Sequence, residues 1–386
     1  MEFKDFPEVK RNFGFGCMRL PMVETDNKDK DGNPEKAVDI EQFKEMVDYF
    51  LDSGFNYFDT AHVYLNGKSE TALKAALTSR YGRNEYVLTN KLTGSCFNKG
   101  EEIRPLFESQ LEACGVEYFD FYLMHSQNAK VFEKFKACRG YETAFELKKE
   151  GKVRHVGLSF HDTPEVLDKI LTEYPEIEIV QIQFNYYDYD DPSVQSRGVY
   201  EVARKHGKPL IIMEPVKGGN LVNLPPEAQK IFDELHGGSN ASYAIRYAAG
   251  FDGMRMVLSG MSDMDQMRDN VSFMRDFKPL NDDEQKAVSK VVEIFRGMDL
   301  IPCTGCSYCI EENKCPMNIQ IPDLFDAMNQ KTAFGDKKQE RFFSQFYTGN
   351  GKGKPSECVK CGGCENVCPQ HLPIRELLEK VAAEFE

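Results

Sequence analysis

Residues 118–125 read YFDFYLMH. Six of these eight residues are aromatic or aliphatic. The run is too short for a helix of its own and too continuously apolar for a sheet with one wet face. It reads as a strand buried on both sides, the kind that a parallel sheet carries beneath covering helices. Runs of similar character recur at 12–17 (NFGFGC), 55–59 (FNYFD), 86–91 (YVLTNK), 153–159 (VRHVGLS), 178–184 (EIVQIQF), 209–214 (PLIIME) and 255–260 (RMVLSG). Helix-like stretches alternate with them at 40–53, 68–80, 101–114, 137–150, 164–173, 194–206, 240–249 and 263–275. Eight strand–helix units in roughly 280 residues predict an α/β fold, a (β/α)8 TIM barrel, with a doubly wound open sheet as the alternative.

Segment 283–296 (DEQKAVSKVVEIFR) places Ala287, Val288, Val291, Val292 and Phe295 on one helical face, with Gly297 as its C-cap. It is expected to pack against the barrel and end a first domain at 1–297. A smaller domain at 298–386 follows a short linker. The polar stretch 24–36 (ETDNKDKDGNPEK) reads as a solvated loop. Its Asn27-x-Asp29-x-Asp31-Gly32 portion has the opening of a calcium loop, but Val38 stands where the bidentate Glu is required.

The formal charge is 48 − 62 = −14, which argues against nucleic-acid partners and against docking on an anionic membrane. No apolar run approaches the ~20 residues of a membrane span. Met1–Arg11 is charged and has no secretory core segment, so the expected location is the cytoplasm.

Eight of the twelve cysteines lie between Cys303 and Cys368. They form a two-fold repeat, Cys303-x2-Cys306-x2-Cys309-x5-Cys315-Pro and Cys358-x2-Cys361-x2-Cys364-x3-Cys368-Pro. Zinc ribbons use paired CxxC elements, whereas triplets with a trailing Cys-Pro are the bacterial-ferredoxin arrangement for [4Fe–4S] clusters, in which the fourth cysteine serves the other cluster. Cys303, Cys306, Cys309 and Cys368 are expected around one cluster, and Cys358, Cys361, Cys364 and Cys315 around the second. The gap before Cys315 is five residues rather than three. Helix-like segments at 321–330 and 337–346 make this a helical ferredoxin-like domain.

Barrel chemistry sits at the C-terminal ends of strands. Successive ends carry Asp59, Lys91 and His125, with Tyr64 in the loop after Asp59. A phenol is a poor acid at neutral pH. A Lys91 ammonium held by Asp59 is expected to lower the Tyr64 pKa, making it a general acid for a carbonyl oxygen that receives a hydride.

These four residues, in FDTAHVY and at the next two strand ends, resemble the catalytic tetrad of the aldo/keto reductase family. The resemblance runs over about 12–275, and with the cysteine domain it is similar to an iron–sulfur-bearing subgroup. It implies a nicotinamide site in which Ser159 and Gln183 meet the carboxamide and Asn270 reads adenine. Met213 occupies the place of the usual stacking aromatic residue, and Phe160-His161 follow Ser159 where the family has Asn. Gly260 and Gln266 replace the usual 2′-phosphate clamp, with Arg268 nearby, so NADP and NAD both remain open.

His62 and His161 are candidates for the substrate pocket. His155, His206, His236 and His371 read as surface or satisfied positions. Cys17 either faces the pocket or is a small buried hydrophobe.

Three readings stand. The first is an oxidoreductase acting on a small-molecule carbonyl or alcohol substrate, its two [4Fe–4S] clusters relaying electrons to or from a redox partner protein or a flavin. The second is a NAD(P)H-dependent reductase with structural or redox-sensing clusters. The third is a non-enzymatic electron-carrier or interaction subunit.

Overall fold

The computed structural model describes residues 3–28, 34–235, 237–313, 315–335, 343, 347–348 and 351–386. The chain groups into two compact units, Met1–Asn27 with Pro34–Pro215 and Ala244–Leu280, and Lys28–Asn33 with Val216–Tyr243 and Asn281–Glu386.

The strands are β1 (Phe13–Gly16), β2 (Met22–Lys28), β3 (Pro34–Val38), β4 (Tyr57–Asp59), β5 (Val87–Leu92), β6 (Phe119–Gln127), β7 (Val153–Phe160), β8 (Ile179–Gln183), β9 (Leu210–Met213) and β10 (Met254–Gly260). Eight of them close into a barrel in the order β1–β10–β9–β8–β7–β6–β5–β4, with parallel pairing throughout. Every strand of the barrel lies on one of the eight apolar runs, and the open-sheet alternative falls. Three of the helices between them begin on short polar side chains that accept from the first free amides, Asp39 from Gln42, Asn128 from Val131 and Asp263 from Gln266.

Strand periodicity layers the interior. Tyr57, Val87, Phe121, Leu123, Ile179 and Ile211 meet in one apolar cluster, against which Phe6 packs. Two or four residues further along the same strands the inward positions turn polar, as Asp59, Thr89, Lys91, His125, Gln181 and Gln183. The foot of the barrel is therefore built for packing and the mouth for chemistry. A cavity of about 200 Å³ lies at the foot, lined by Phe6, Tyr57, Phe121 and Met256.

Several local expectations are adjusted. Stretch 24–36 is not wholly a loop, because Met22–Lys28 and Pro34–Val38 pair as a two-stranded sheet; residues 29–33, and with them most of the calcium-like sequence, lie outside the described residues. The helix expected at 137–150 runs Gly140–Lys149, and a separate, unanticipated helix Ala129–Ala137 precedes it, the two parted at Arg139 by a left-handed φ of 57°. The helix at 68–80 is α-helical over Lys68–Leu73 and widens to a π-type turn at Lys74–Thr78. Gly297 is the last helical residue rather than the cap, which is Met298. A helix at Pro226–Asp233 had its signal in the paired prolines at its start. The segment 337–346 lies, apart from Phe343, outside the described residues.

In the second unit the helix Asp282–Gly297, opened by an Asn281/Glu284 capping box, packs against Pro226–Asp233. Beyond it, Ile301, Ile321, Leu324, Phe325, Ile374 and Leu378 form a core that includes Cys309 and Cys364. Two short helices, Tyr308–Glu311 and Gly363–Asn366, carry those two cysteines and pack together.

Candidate active site and cysteine clusters

Parallel register sets the mouth of the barrel. Asp59 pairs with Thr89 on β5, and Lys91 pairs with Leu123 on β6, two residues before His125. Lys91 Nζ donates to Asp59 Oδ1 at 2.6 Å, to the Thr60 carbonyl at 2.8 Å and to the Tyr64 hydroxyl at 3.1 Å. The ammonium also sits 4.6 Å from the centroid of the Tyr64 ring. His125 meets that ring edge-on at 5.9 Å. The turn that presents Tyr64 holds Leu65 and Asn66 in left-handed conformations, with φ of 53° and 55°, a strain of about 1–3 kcal/mol per residue that the surroundings must hold.

The electrostatics follow from burial. Burial raises the Asp59 carboxyl pKa and lowers that of the Lys91 ammonium, while each one's charge opposes the other's shift. Tyr64 departs from the expected direction. Burial, then Asp59, then Glu214 push its phenol well above the usual value, and Arg19 opposes them. Lys91 lies closer to Asp59 than to Tyr64, so it serves the phenol as a hydrogen-bond donor. The phenol therefore keeps its proton through the neutral range. Burial, helped by Lys91 and His161, holds His125 well below the usual histidine value, so its imidazole is neutral. Its Nδ1 shares a 2.7 Å hydrogen bond with the Thr93 hydroxyl.

Asp59, Tyr64, Lys91 and His125 are thus assembled in one place. Of the residues implied for nicotinamide, Ser159 Oγ accepts from the Ser126 amide at 2.8 Å, one residue from His125. Gln183 Nε2 donates to Asp188 at 2.7 Å, Asn270 Nδ2 donates to Ser259 Oγ at 2.9 Å, and Met213 ends β9 half-buried. Arg268 is exposed and paired with Asp265 at 3.5 Å. Cys17 is fully buried beside Asp59, whose charge adds to burial in raising its thiol.

Sequence reasoning missed the supporting groups. Gln181 Nε2 lies 3.4 Å from Asp59 Oδ2. Buried Glu70 accepts from His62 Nδ1 at 2.9 Å and from Asn90 Nδ2 at 2.8 Å, and Asn90 Oδ1 accepts from the Lys91 amide. His62, expected toward the pocket, spends its Nδ1 on this carboxylate. Gln181 stands two residues before Gln183 on β8 and Thr93 two residues after Lys91, just past the end of β5, and that period was the available signal.

The cysteine loops repeat in backbone as well as in sequence. Gly305 and Lys360, Ser307 and Gly362, and Asn318 and His371 hold equivalent places, and all six are left-handed, with φ between 51° and 76°. Alternating hand around a loop turns successive amides inward, where they face anions. The Gly305 amide approaches Cys303 Sγ at 3.5 Å, and the amides of Leu372, Gln370 and His371 counter the upward effect of burial on Cys368. Burial, then the neighbouring Cys306, Cys303 and Cys368, raise the Cys309 thiol. Burial pushes Cys364 up to about 11, with Cys358 among its neighbours. The donor set is two triplets of thiolates at two-residue spacing, each with a trailing Cys-Pro, which fits four-iron cubanes that take one thiolate per iron.

Residues 14–293 match the family model described as "Aldo/keto reductase family", and residues 302–372 match "4Fe-4S dicluster domain". The chain is similar to a protein of Escherichia coli named NADH-specific methylglyoxal reductase, with 26% identity over 49% of this chain, and it spans 62% of that relative's length. Among solved structures, an aldo-keto reductase from Bacillus halodurans in its holo form superposes with a TM-score of 0.57 at 24% identity, covering 72% of this chain and 91% of that one. One from Klebsiella pneumoniae in complex with NADPH gives 0.56 at 17% identity, covering 76% and 96%. At these identities the superpositions speak for the fold.

Proposed function

The chain belongs to the aldo/keto reductase family, and from that premise we propose that it is an oxidoreductase. Its barrel would exchange hydride between NADP or NAD and a small carbonyl or alcohol substrate. Its eight cluster cysteines would hold two [4Fe–4S] groups that connect it to a one-electron partner. The observation that carries this reading is the single ammonium, Lys91 Nζ, bridging Asp59 Oδ1 at 2.6 Å and the Tyr64 hydroxyl at 3.1 Å.

The residues divide the work as follows. Tyr64 gives its proton to the substrate oxygen as negative charge develops there. Lys91 donates to the Tyr64 oxygen and stabilises the phenolate left behind, and Asp59 keeps Lys91 oriented. Neutral His125, steadied by Thr93, lies beside the same oxygen. Ser159, Gln183, Met213 and Asn270 would hold the nucleotide, the first three at strand ends around the mouth. Cys303, Cys306, Cys309 and Cys368 would hold one cluster, and Cys358, Cys361, Cys364 and Cys315 the other. The nicotinamide supplies or takes a hydride and the clusters single electrons; a flavin is the cofactor class that reconciles the two. The Escherichia coli relative is named for NADH and the Klebsiella structure holds NADPH, so both nucleotides belong in the assays.

The test is Tyr64→Phe in the iron-loaded protein, assayed on a panel of aldehydes, ketones and alcohols with either nucleotide. Loss of turnover with unchanged iron content supports the reading. Retained turnover overturns the assignment of Tyr64.

A further inference from the structure

The two cysteine loops are equivalent in sequence and backbone hand but not in surroundings. In the first loop Thr304 is 3% exposed. Its equivalent in the second loop, Val359, is 57% exposed. Cys306 is partly covered, whereas its equivalent Cys361 is the single exposed thiol of the twelve cysteines.

The cause lies within the second unit. Segment 216–220 covers the Thr304 side of the first loop, with Asn220 Nδ2 donating to the Cys303 carbonyl at 2.9 Å, while Gly305 stays exposed. Gly218 comes so close to Thr304 that a Cβ on it would stand 2.2 Å from the Thr304 carbonyl oxygen. Gly218 also holds a φ of 66°, so glycine answers both demands. The second loop instead presents Val359 to solvent. Two ion pairs lie beside it, Lys360 with Glu379 at 2.5 Å and Arg375 with Glu365 at 2.7 Å.

We infer that the loop Cys358–Cys364 is the port through which single electrons cross the protein surface, and that the more covered loop Cys303–Cys309 is the poorer entry for external carriers. This rests on the reading that the eight cysteines hold two clusters. The partner is a one-electron carrier protein whose contact patch is apolar at its centre, to match Val359, and polar around it, to meet the Lys360–Glu379 and Arg375–Glu365 pairs. One electron leaves the reduced carrier and enters the site behind Cys361. No bond forms or breaks, and no proton moves.

The experiment uses the full chain, reconstituted anaerobically. Iron and sulfide analysis comes first; a chain that holds fewer than two clusters fails the underlying reading, not the port. Cys306→Ala and Cys361→Ala then each leave one complete site. The EPR relaxation of the remaining reduced cluster is measured with and without a soluble dysprosium chelate. The signal left in Cys306→Ala is expected to relax several-fold faster with the chelate, and that left in Cys361→Ala to change much less. Val359→Trp keeps every ligand and covers the port. It is expected to slow reduction by dithionite-reduced viologen several-fold at unchanged iron content, and it decides the matter where a cysteine variant loses both clusters. Equal or reversed chelate sensitivity, or an unchanged rate in Val359→Trp, overturns the assignment.

Discussion

The Lys91 ammonium lies 2.6 Å from Asp59 Oδ1 with both side chains withdrawn from solvent, at 0% and 4% exposure. An ion pair in that setting leaves an uncompensated charge when one partner goes, at about 3–5 kcal/mol. Lys91→Met alone and Asp59→Leu alone are each expected to destabilise the barrel by that order. The double substitution is expected to cost clearly less than the sum. Urea unfolding of the four proteins followed by circular dichroism checks this, and strict additivity would mean that the pair is not coupled.

Tyr64→Phe removes one oxygen and leaves the ring that packs beside His125 and Lys91. Stability is expected to hold, while kcat falls by about 10²–10⁴-fold, the usual worth of a positioned general acid. Because the phenol is held above its usual value, Tyr64 is expected to stay protonated up to alkaline pH. A pH–rate profile of carbonyl reduction is therefore expected to show no loss from Tyr64 ionisation near neutrality.

Two histidines at the mouth answer pH in opposite senses. The hydrogen bond to Glu70 raises His62, so its contribution to stability is full below the unfolded value of about 6.5 and is lost as pH rises through the folded value. Burial depresses His125, so the unfolded chain takes up a proton below about 6.5 that the folded chain refuses, and stability falls with falling pH. The difference in unfolding free energy between wild type and His62→Gln is expected to shrink from pH 5 to pH 9. The difference between wild type and His125→Asn is expected to change in the other direction. Matching slopes for the two variants would contradict the assignment.

The strands of the barrel and the four candidate catalytic groups were legible in the sequence because both follow short periods. An apolar run marks a parallel strand buried on both faces, and its last inward residue faces the mouth. Glu70 was not legible. It lies on the helix Lys68–Leu73, and only the fold turns it toward His62 and Asn90. The direction of the Tyr64 shift was misread because a lysine beside a phenol suggests a lowered value, whereas burial and two carboxylates outweigh it here. The pairing of Met22–Lys28 with Pro34–Val38 was hidden by a polar composition that also suits a loop.

Gly218 and Gly297 form a matched test of the cover on the first cysteine loop. Gly218→Ala would press a Cβ against the Thr304 carbonyl, whereas a Cβ at Gly297 meets nothing within 4 Å. Gly218→Ala is expected to lower iron retention on gel filtration and to lower Tm. Gly297→Ala is expected to keep the iron and to gain up to about 1 kcal/mol from helix propensity.

The central claim is that barrel and clusters form one oxidoreductase. The most direct measurement is an anaerobic titration of the purified, oxidised protein with NADPH and then NADH, following cluster absorbance near ~400 nm and the EPR spectrum. Bleaching, with the appearance of a reduced-cluster EPR signal, is the predicted result. Clusters that stay oxidised while nucleotide binds would contradict it and leave them a structural role or another source of electrons.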